Sequence, residues 1–557
     1  MQVMTTKKIS LVLSVLIAIV GFSIGSYAAD AIIQGAVTDN AGKPIRGAIV
    51  KATLADKAVT RFTRADGRYE ISLPLGKYSI SAEAFGFAPK TQSKDMVQTD
   101  ELDFRLTPML SVFALSGSEL ESLLPNDKEA TAIKASCVSC HTFNTIMVRK
   151  GYTAEQWADF IPNMNKRTVN PHYTPELLVG LSKALEKHFG PNSPYFGEDA
   201  APPKPEQVRH VEISDAALNA TIIEYKLPTG RAMPHSITID AKGIAWFSEY
   251  DRPSNRLGMF DPNTEKFEEF SMPIAESMPH TGAIGKDGRF WVALAGPNIE
   301  AKLAVLDPAT KKIKTYAWPE MKSTPGHTLR LDPSGSVVWF SGGDNDHLWS
   351  FDIETEKFQA HKFPVPAKYP DDSIAADEMA VGGRPSPVQA GSYDVAVDSK
   401  GKVWASQLSL GTLIRLDPVT GETKQYKPEH TPSMRGIMVD SDDNVWFSNF
   451  HGHKIGRLDQ KTQTIKEWQP PTPNATPYGF AQDSRTGDIW FADMSGNNIT
   501  RFDPKTEQFV EYPIPTRNSN SRFIGVDAKS RVWFTEYWNG KIGVLVPGDS
   551  DAKMSSR

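Results

Sequence analysis

Tryptophan recurs at near-regular intervals along the C-terminal half of this chain of 557 residues. Seven of these Trp residues lie in a strand-like segment that follows an Asp/Gly turn and precedes a further segment ending near Asp-Pro. The members of this series of seven are separated by 45, 48, 65, 42, 44 and 43 residues. A period in the forties with about four strands per unit is typical of β-propeller blades. The pattern predicts a seven-bladed β-propeller over residues 220–547, built around Trp246, Trp291, Trp339, Trp404, Trp446, Trp490 and Trp533.

The two ends of the repeat predict how the ring of blades closes. The last unit stops after its third strand at 541–546, whereas 220–227 has the pattern of a fourth strand that precedes the first unit. Pairing the two segments would complete blade seven and leave no open edge. The one long Trp separation predicts an insertion at 362–390, because it exceeds the usual length of a blade connection.

The N-terminus has the pattern of an export signal. Lys7 and Lys8 precede an apolar run at 9–25, and Ser26-Tyr27-Ala28 offers small residues for cleavage. This arrangement predicts a signal peptide over 1–28 and a periplasmic location. A retained membrane anchor is the alternative, although the run is at the short limit for a span. No later stretch is apolar and long enough to cross a bilayer, so no membrane span is expected after signal cleavage.

The overall charge argues against a nucleic-acid partner. The formal net charge is −5, and the sequence contains no basic stripe. Nucleic-acid binding usually requires clustered Lys and Arg residues.

The two cysteines of the chain lie in the segment Cys137-Val138-Ser139-Cys140-His141. A disulfide is the simplest expectation for two cysteines in an exported protein. The CxxCH spacing, however, suits two thioether bonds to haem vinyl groups and an axial His beside them. A redox-active CxxC usually follows a strand in a βαβ unit, which is not evident here. We predict one covalent haem c on Cys137 and Cys140, with His141 as a ligand of the haem iron.

The residues around this motif predict a small α-helical domain over 120–192. It resembles the class of cytochrome c domains in which a Trp-x(6)-Met helix follows the haem motif, a spacing that Trp157 and Met164 match. Met147, Met164, His172 and His188 are the candidates for the second axial ligand. We favour Met164, because Met147 follows His141 too closely to return easily to the opposite haem face.

A small β-sandwich is predicted over 30–107, where apolar and polar residues alternate between Gly-containing turns. The phrases GAVTDNAGKPIRGAIVKA and TRADGRYEISLPLGKYSISA resemble carboxypeptidase regulatory-like domains. We find no catalytic constellation there and expect a docking or spacer role. A Pro-rich linker at 193–219 then leads to the propeller. The predicted fold is therefore mainly β.

The propeller repeats resemble the virginiamycin B lyase (streptogramin lyase) family. The most similar phrases are PHSITIDAKGIAWFSEY, SNFHGHKIGRLD and WFTEYWNGKIGVL. The resemblance implies the propeller fold, but it is a weaker guide to the reaction because one fold serves many chemistries.

Alignment of the blades on their Trp places polar residues at the start of each innermost strand. These residues are expected to form one ring around the central channel, because packed strand positions normally carry Val, Ile or Thr. They are His235, His280, His327, Tyr393, Arg435, Tyr478 and Arg522. We predict catalytic or metal-binding roles for the three His and substrate binding for the Tyr and Arg residues, with a carboxylate or phosphate on the arginines. Neutral His would be required, so activity is expected to fall as the pH drops through about 6.5.

The third residue after each Trp gives a second aligned set near the same channel. Its members are Glu249, Leu294, Gly342, Gln407, Asn449, Asp493 and Glu536. We expect Glu249 to lie near enough to His235 to orient it or share a divalent metal, and Glu536 to bind substrate.

The lyase resemblance implies a specific chemistry at some of these positions. In that family, Mg²⁺ with paired His and Glu residues promotes an elimination that opens a cyclic depsipeptide ester. Two Pro-His steps match at His235 and His280, and Glu249 matches the Trp-Phe-x-Glu phrase. The acid that the family places two residues before its second His is Met278 here, which argues against the lyase reaction.

Three functions are open at this point. The first is a haem-dependent oxidoreductase, in which the propeller binds a small or medium organic substrate and the haem relays electrons to a periplasmic partner. The second is a lyase or hydrolase that uses the channel His and Glu residues. The third is a non-catalytic electron carrier with docking domains. We expect the haem to lie in a domain separate from the propeller.

Overall fold

The computed structural model describes residues 31–138, 141–165, 174–251, 254–296, 299–321, 326–342, 346–369, 371 and 390–548. The predicted signal peptide and most of the predicted insertion lie outside these residues. Within the described residues, no helix combines the length and apolar character needed to cross a membrane.

The N-terminal segment is a two-sheet sandwich. In one sheet β1 pairs with β4, β7 and β8, and in the other β2 pairs with β3 and β5, and β5 with β6. Alternate residues of β1, including Ile33 and Val37, are buried and pack against Val50 and Ile80 of the second sheet. The strands are β1 (Ala31–Asp39), β2 (Ile49–Leu54), β3 (Lys57–Phe62), β4 (Arg68–Leu73), β5 (Gly76–Glu83), β6 (Lys90–Met96), β7 (Asp100–Glu101) and β8 (Phe104–Leu106).

A helical segment follows the sandwich. Its helices are α1 (Gly117–Glu121), α2 (Lys128–Cys137), α3 (Phe143–Met147), α4 (Ala154–Asn165) and α5 (Pro175–Phe189). The Asp127 carboxylate accepts the backbone N–H of Ala130, and Thr174 Oγ1 accepts that of Leu177, so polar N-caps fix the starts of α2 and α5. The predicted helices are therefore present.

The C-terminal segment is a ring of four-stranded antiparallel sheets. It is preceded by α6 (Asp215–Leu218) and β9 (Thr221–Lys226). Blades one to three are β10 (Pro234–Ile239), β11 (Ala245–Glu249), β12 (Arg256–Asp261) and β13 (Lys266–Ser271); β14 (Pro279–Ile284), β15 (Phe290–Leu294), β16 (Ala301–Asp307) and β17 (Lys312–Ala317); and β18 (Leu329–Leu331), β19 (Val337–Ser341), β20 (His347–Asp352) and β21 (Lys357–Lys362).

Blades four to six continue the same order. They are β22 (Ser392–Val397), β23 (Val403–Gln407), β24 (Thr412–Leu416) and β25 (Thr423–Tyr426); β26 (Met434–Val439), β27 (Val445–Asn449), β28 (Lys454–Asp459) and β29 (Thr464–Trp468); and β30 (Pro477–Gln482), β31 (Ile489–Asp493), β32 (Asn498–Asp503) and β33 (Gln508–Pro513).

Blade seven closes the ring. It contains β34 (Ile524–Val526), β35 (Val532–Glu536) and β36 (Lys541–Val546), and β36 pairs antiparallel with β9. The innermost strands contact one another in cyclic order, and β34 of the last blade contacts β10 of the first. The predicted seven-bladed propeller and its closing strand are confirmed within the described residues.

The sandwich extends the sheet of blade seven. Strand β3 pairs antiparallel with β9, with Val59 opposite Ile223 and Thr60 opposite Ile222. The outer edge of the closing strand is therefore covered by the sandwich, and an unpaired edge is avoided there.

The recurring Trp has a structural cause in several blades. The indole Nε1–H of Trp246 donates to Asp240 at 3.0 Å, and that of Trp446 donates to Asp440 at 2.8 Å. The same contact joins Trp404 to Asp398 and Trp533 to Asp527. The Asp of the turn thereby satisfies a buried indole donor six residues later in the chain.

Candidate functional site

The structure brings the seven aligned residues at the start of the innermost strands into one ring, which we call the channel ring. The imidazole centroids of His235 and His280 are 3.9 Å apart, and those of His280 and His327 are 4.0 Å apart. The ring of Tyr393 follows at 4.2 Å from His327.

The other half of the channel ring is linked by hydrogen bonds. Arg435 Nη1 donates to the Tyr393 hydroxyl at 2.9 Å, and the Tyr393 hydroxyl is hydrogen-bonded to that of Tyr478. Arg522 lies over Tyr478 and donates to His235 Nε2 at 3.1 Å, which returns the ring to its first member.

Local irregularities of the strands accompany these positions. The register between the first two strands of a blade shifts around His235, His280, Tyr393, Arg435 and Tyr478. A bulge locally re-aims a side chain that a regular strand would direct into the blade. The polar residues can therefore meet at the channel without disturbing the remaining register.

The hydrogen bonds indicate the tautomers of the imidazoles. Arginine only donates, so His235 Nε2 accepts and the proton of the neutral ring resides on Nδ1. His327 Nδ1 lies 2.8 Å from the Tyr393 carbonyl oxygen and must donate to it. Nε2 of His327 is therefore the atom that can accept a proton or bind a metal.

The three imidazoles are neutral at ordinary pH. Burial lowers the pKa of His235 and His280 well below 6.5, and the positive charge of Arg522 lowers both further. Burial also lowers the pKa of His327 to about 3. The expected loss of the neutral form near pH 6.5 is therefore wrong, because it used the value for a solvated imidazole.

The second aligned set does not join the channel ring. Glu249 lies opposite Arg256 on the adjacent strand, and the groups that act on its carboxyl are Glu269, Arg256 and Ser254. Burial and the charge of Glu269 raise its pKa to about 8. The expectation that Glu249 orients His235 is not met among the described contacts. The Glu249 side chain lies beside the neighbouring strands of its own blade, next to Arg256 and Glu269.

Glu536 has an equivalent position in blade seven. It lies opposite Lys541, and burial together with the negative charge of Glu224 raises its pKa well above 4.5. The Glu224 carboxylate lies 3.3 Å from Lys541 Nζ. Glu536 is therefore part of a buried acid–acid–Lys cluster inside the blade, and its predicted contact with substrate at the channel has no support in this geometry.

Alignment of the blades on their Trp selected the third residue after the Trp and missed the residue that follows it. The fourth residue after the Trp, not the third, contacts the channel ring: Tyr250 lies 5.2 Å from His235, Tyr537 lies 5.7 Å from it, and Phe450 lies 4.1 Å from the Arg435 guanidinium. Successive side chains of a strand point to opposite faces, so an error of one residue selects the wrong set. The aromatic character repeated at this position was the available signal.

The predicted haem motif is only partly within the described residues. Cys137 is buried at the end of α2, while Cys140, the Met164 side chain and His172 lie outside the description. Of the other axial candidates, Met147 is buried in the helical core, and His188 Nε2 contacts the Asp127 carboxylate at 3.2 Å.

His141 has the chemical state required of an iron ligand. Its Nδ1 lies 3.4 Å from the Thr142 carbonyl oxygen, which places the proton on Nδ1 and leaves Nε2 as a lone-pair donor. Burial, together with the charges of Arg522 and Arg149, lowers its pKa to about 4. The imidazole is therefore neutral.

The helical segment covers the mouth of the channel. One apolar cluster contains Cys137 and Val138 together with Tyr393, Tyr478 and Phe523 of the propeller. The helical segment that contains the predicted haem motif therefore packs directly against channel residues.

Polar contacts fix the same interface. The backbone N–H of Ser118 donates to the Ser495 carbonyl at 3.0 Å, and Thr142 Oγ1 donates to Asn518 Oδ1 at 2.9 Å. These contacts join α1 and the residue after His141 to the loops that follow strands β31 and β33 of blade six.

Comparisons with known proteins identify two parts of the chain. The model of the virginiamycin B lyase family matches residues 375–552. The propeller is virginiamycin B lyase-like. The carboxypeptidase regulatory-like domain model matches residues 32–107, which identifies the sandwich. No curated protein matches the chain.

Solved structures support the lyase-like propeller at the level of fold. Virginiamycin B lyase from Staphylococcus aureus is 21% identical with a TM-score of 0.50, and the match covers 59% of this chain and 99% of that one. A streptogramin B lyase structure is 21% identical with a TM-score of 0.51, covering 60% and 99% of the two chains. At this identity the likeness establishes the fold and not the reaction.

Proposed function

We propose that this chain is an exported, periplasmic c-type haem protein whose haem segment and channel ring form one redox site for a small or medium organic substrate. The observation that carries this proposal is the shared core of Cys137, Tyr393 and Tyr478, together with the action of the Arg522 charge on His141. A cytochrome appended without functional relation to the propeller would not need to cover the channel.

The residues present fit a haem c. Cys137, Cys140 and His141 would hold it, and Met164 is the proposed second ligand of the iron. The neutral His141 with its available Nε2, and the buried Trp157 Nε1–H without a hydrogen-bond partner, are both suited to such a group. Bound haem c supplies a one-electron acceptor, and a periplasmic electron carrier would reoxidise it.

The channel ring supplies the proton chemistry that oxidation of an organic substrate requires. Such an oxidation releases protons together with electrons. Neutral His327 would accept a proton at Nε2, and neutral His280 beside it offers a second base. His235 is held by Arg522 and would position its neighbour, while Tyr393, Tyr478 and Arg522 offer donors to polar groups of the substrate.

A divalent metal in the channel remains an untested prediction. Neighbouring imidazole centroids are 3.9 and 4.0 Å apart, and the three rings follow one another around the channel. Among the described residues no group of three or more His, Cys, Asp or Glu has the arrangement of a metal site.

The first test is the covalent attachment of haem. Purified full-length protein should retain its haem after denaturation and extraction with acidic acetone, because thioether bonds survive both. Complete extraction would defeat the proposed function.

The second test separates the candidate activities. Oxidised protein is mixed anaerobically with candidate substrates while the haem absorption spectrum is recorded. We expect substrate-driven reduction in the wild type and its loss in His280→Ala with equal haem content. Arg457→Gln, at a half-buried position beside Trp446 in blade five, should behave as wild type.

A lyase is the second candidate, favoured by the fold and by the 3.9 Å contact of His235 with His280. Substrate turnover without haem reduction in the same experiment would favour it. Met278 at the position of the family's acid, and Glu249 directed into its blade, argue against it. If no substrate reduces the haem and none is turned over, the result favours a non-catalytic electron carrier.

A further inference from the structure

Arg435 is a buried cation without a counter-charge. The residue is 3% exposed, and its Nε has no hydrogen-bond partner. Its one described side-chain hydrogen bond goes to the Tyr393 hydroxyl, and no carboxylate in the described part of the chain forms an ion pair with it. A buried guanidinium is costly unless an anion compensates it.

The surroundings of Arg435 indicate the side from which an anion would approach. Its guanidinium lies 4.1 Å from the ring of Phe450 and 4.9 Å from that of Tyr393. Both rings belong to the apolar cluster that contains Cys137 and Val138. The guanidinium therefore lies at the boundary between the propeller and the end of α2.

A second residue connects Arg435 to α2. The charge of Arg435 acts on the pKa of His451, which also interacts with the backbone and the side chain of Lys134 in α2. Arg435 is thus within electrostatic reach of the helix that ends at Cys137.

We infer that Arg435 binds a carboxylate at this boundary, and that this carboxylate is a propionate of the haem held by the helical segment. The inference rests on the proposed function. Haem carries two propionates, and the pairing would give the buried guanidinium its anion in every molecule, with or without substrate. The propeller would then contribute a residue to the haem site.

A carboxylate of the substrate is the other source of the same chemistry. It would compensate Arg435 only while substrate is bound and would leave the cation buried and unpaired in the resting protein. Measurements on the substrate-free protein therefore separate the two sources.

The test compares Arg435→Gln with Arg457→Gln in substrate-free, full-length holoprotein. Arg457 is a matched control: it lies in the same blade, its guanidinium is over Trp446 and Trp468, and its Nε also lacks a partner. We measure the midpoint potential by spectroelectrochemistry and the melting temperature of each variant.

We expect the midpoint potential of Arg435→Gln to fall below those of wild type and Arg457→Gln. A cation beside the haem favours the reduced form, so its removal favours the oxidised form. The melting temperature should fall as well, because the propionate would be left buried and unpaired. Arg435→Lys, which keeps the charge, should restore most of the potential and also shows whether the site tolerates substitution.

Two results would overturn the inference. One is a potential of Arg435→Gln equal to that of Arg457→Gln; the other is an unchanged or higher melting temperature, as expected if an uncompensated cation is removed. If substrate still reduces the haem in that case, the proposed function stands and only the propionate pairing fails. Loss of all haem on acidic extraction would instead defeat the proposed function itself.

Discussion

Arg522 Nη1 lies 3.1 Å from His235 Nε2 and joins the last blade to the first at the mouth of the channel. The contact occupies the Nε2 lone pair of His235, so this imidazole cannot take up a proton there without losing its partner. His280 and His327 are therefore better placed to act as bases, and His235 is a positioning residue. The same guanidinium lowers the pKa of His141, so one charge acts on both the channel and the haem motif.

Replacement of Arg522 by Gln should shift the acidic limb of the pH profile for substrate-driven haem reduction to higher pH. Burial is the main cause of the low pKa values of His235, His280 and His327, and the Arg522 charge lowers all three further, most strongly relative to the other charges at His235. Without it these pKa values rise, and the neutral form is lost at a higher pH. Stopped-flow reduction rates between pH 4 and 8 would measure this.

The control for that profile is Arg457→Gln, which should follow the wild type. An acidic limb at the same pH in Arg522→Gln would show that the channel imidazoles do not control the reaction.

The variant Met164→Ala tests the second axial ligand. Loss of a thioether ligand should remove the weak absorption band near the red end of the oxidised spectrum and lower the midpoint potential, because thioether ligation favours reduced iron. Met147→Ala is the matched control. A spectrum that responds to Met147→Ala and not to Met164→Ala would assign the ligand to the other methionine.

The sequence was sufficient for those features that are local or repeated. The Trp period located the blades, the strand pattern of 220–227 located the closing strand, and the start of each inner strand located the channel ring. Glu249 and Glu536 were misassigned because alignment on Trp does not tell which of two successive residues faces the channel. That choice depends on strand register, which an error of one residue reverses.

Two contacts between distant segments were not predictable. The pairing of β3 with β9, and the apolar cluster that contains both Cys137 and Tyr478, join parts of the chain that share no sequence pattern. Such contacts depend on complementary surfaces that form only after each unit has folded. The common core of haem motif and channel therefore became visible only in the structure.

The pair of buried acids in blade seven, Glu224 and Glu536, predicts losses of stability of different size for two conservative substitutions. Burial raises the pKa of Glu224, but Lys541 and the hydrogen bond from Glu536 outweigh it and hold that pKa below 4.5. Glu536 is the protonated partner. Glu536→Gln keeps a neutral donor and should cost less than about 1 kcal/mol of unfolding free energy, whereas Glu224→Gln leaves Lys541 unpaired and should cost about 3 kcal/mol.

Urea unfolding of both variants at pH 7 measures the difference. Equal losses would show that the proton does not reside on Glu536.

Glu249 predicts a dependence of stability on pH that lies outside the channel. Burial and the charge of Glu269 raise the pKa of Glu249 from 4.5 to about 8 in the folded protein. Between these values the unfolded chain has released its proton while the folded chain retains it. The contribution of Glu249 to the free energy of unfolding is therefore fully present below about pH 4.5. It is lost as the pH rises to about 8, at up to about 1.4 kcal/mol per pH unit.

Asp493 and Glu511 also have raised pKa values, about 6 and about 7, so the wild-type curve contains their contributions. The difference between wild type and Glu249→Gln at each pH isolates Glu249. We expect the two proteins to unfold at similar urea concentrations at pH 4.5 and the variant to become progressively more stable relative to wild type towards pH 8. Glu268→Gln, at a partly exposed position on β13, is the matched control and should run parallel to wild type. A pH-independent difference between Glu249→Gln and wild type would show that Glu249 is ionised in the folded blade.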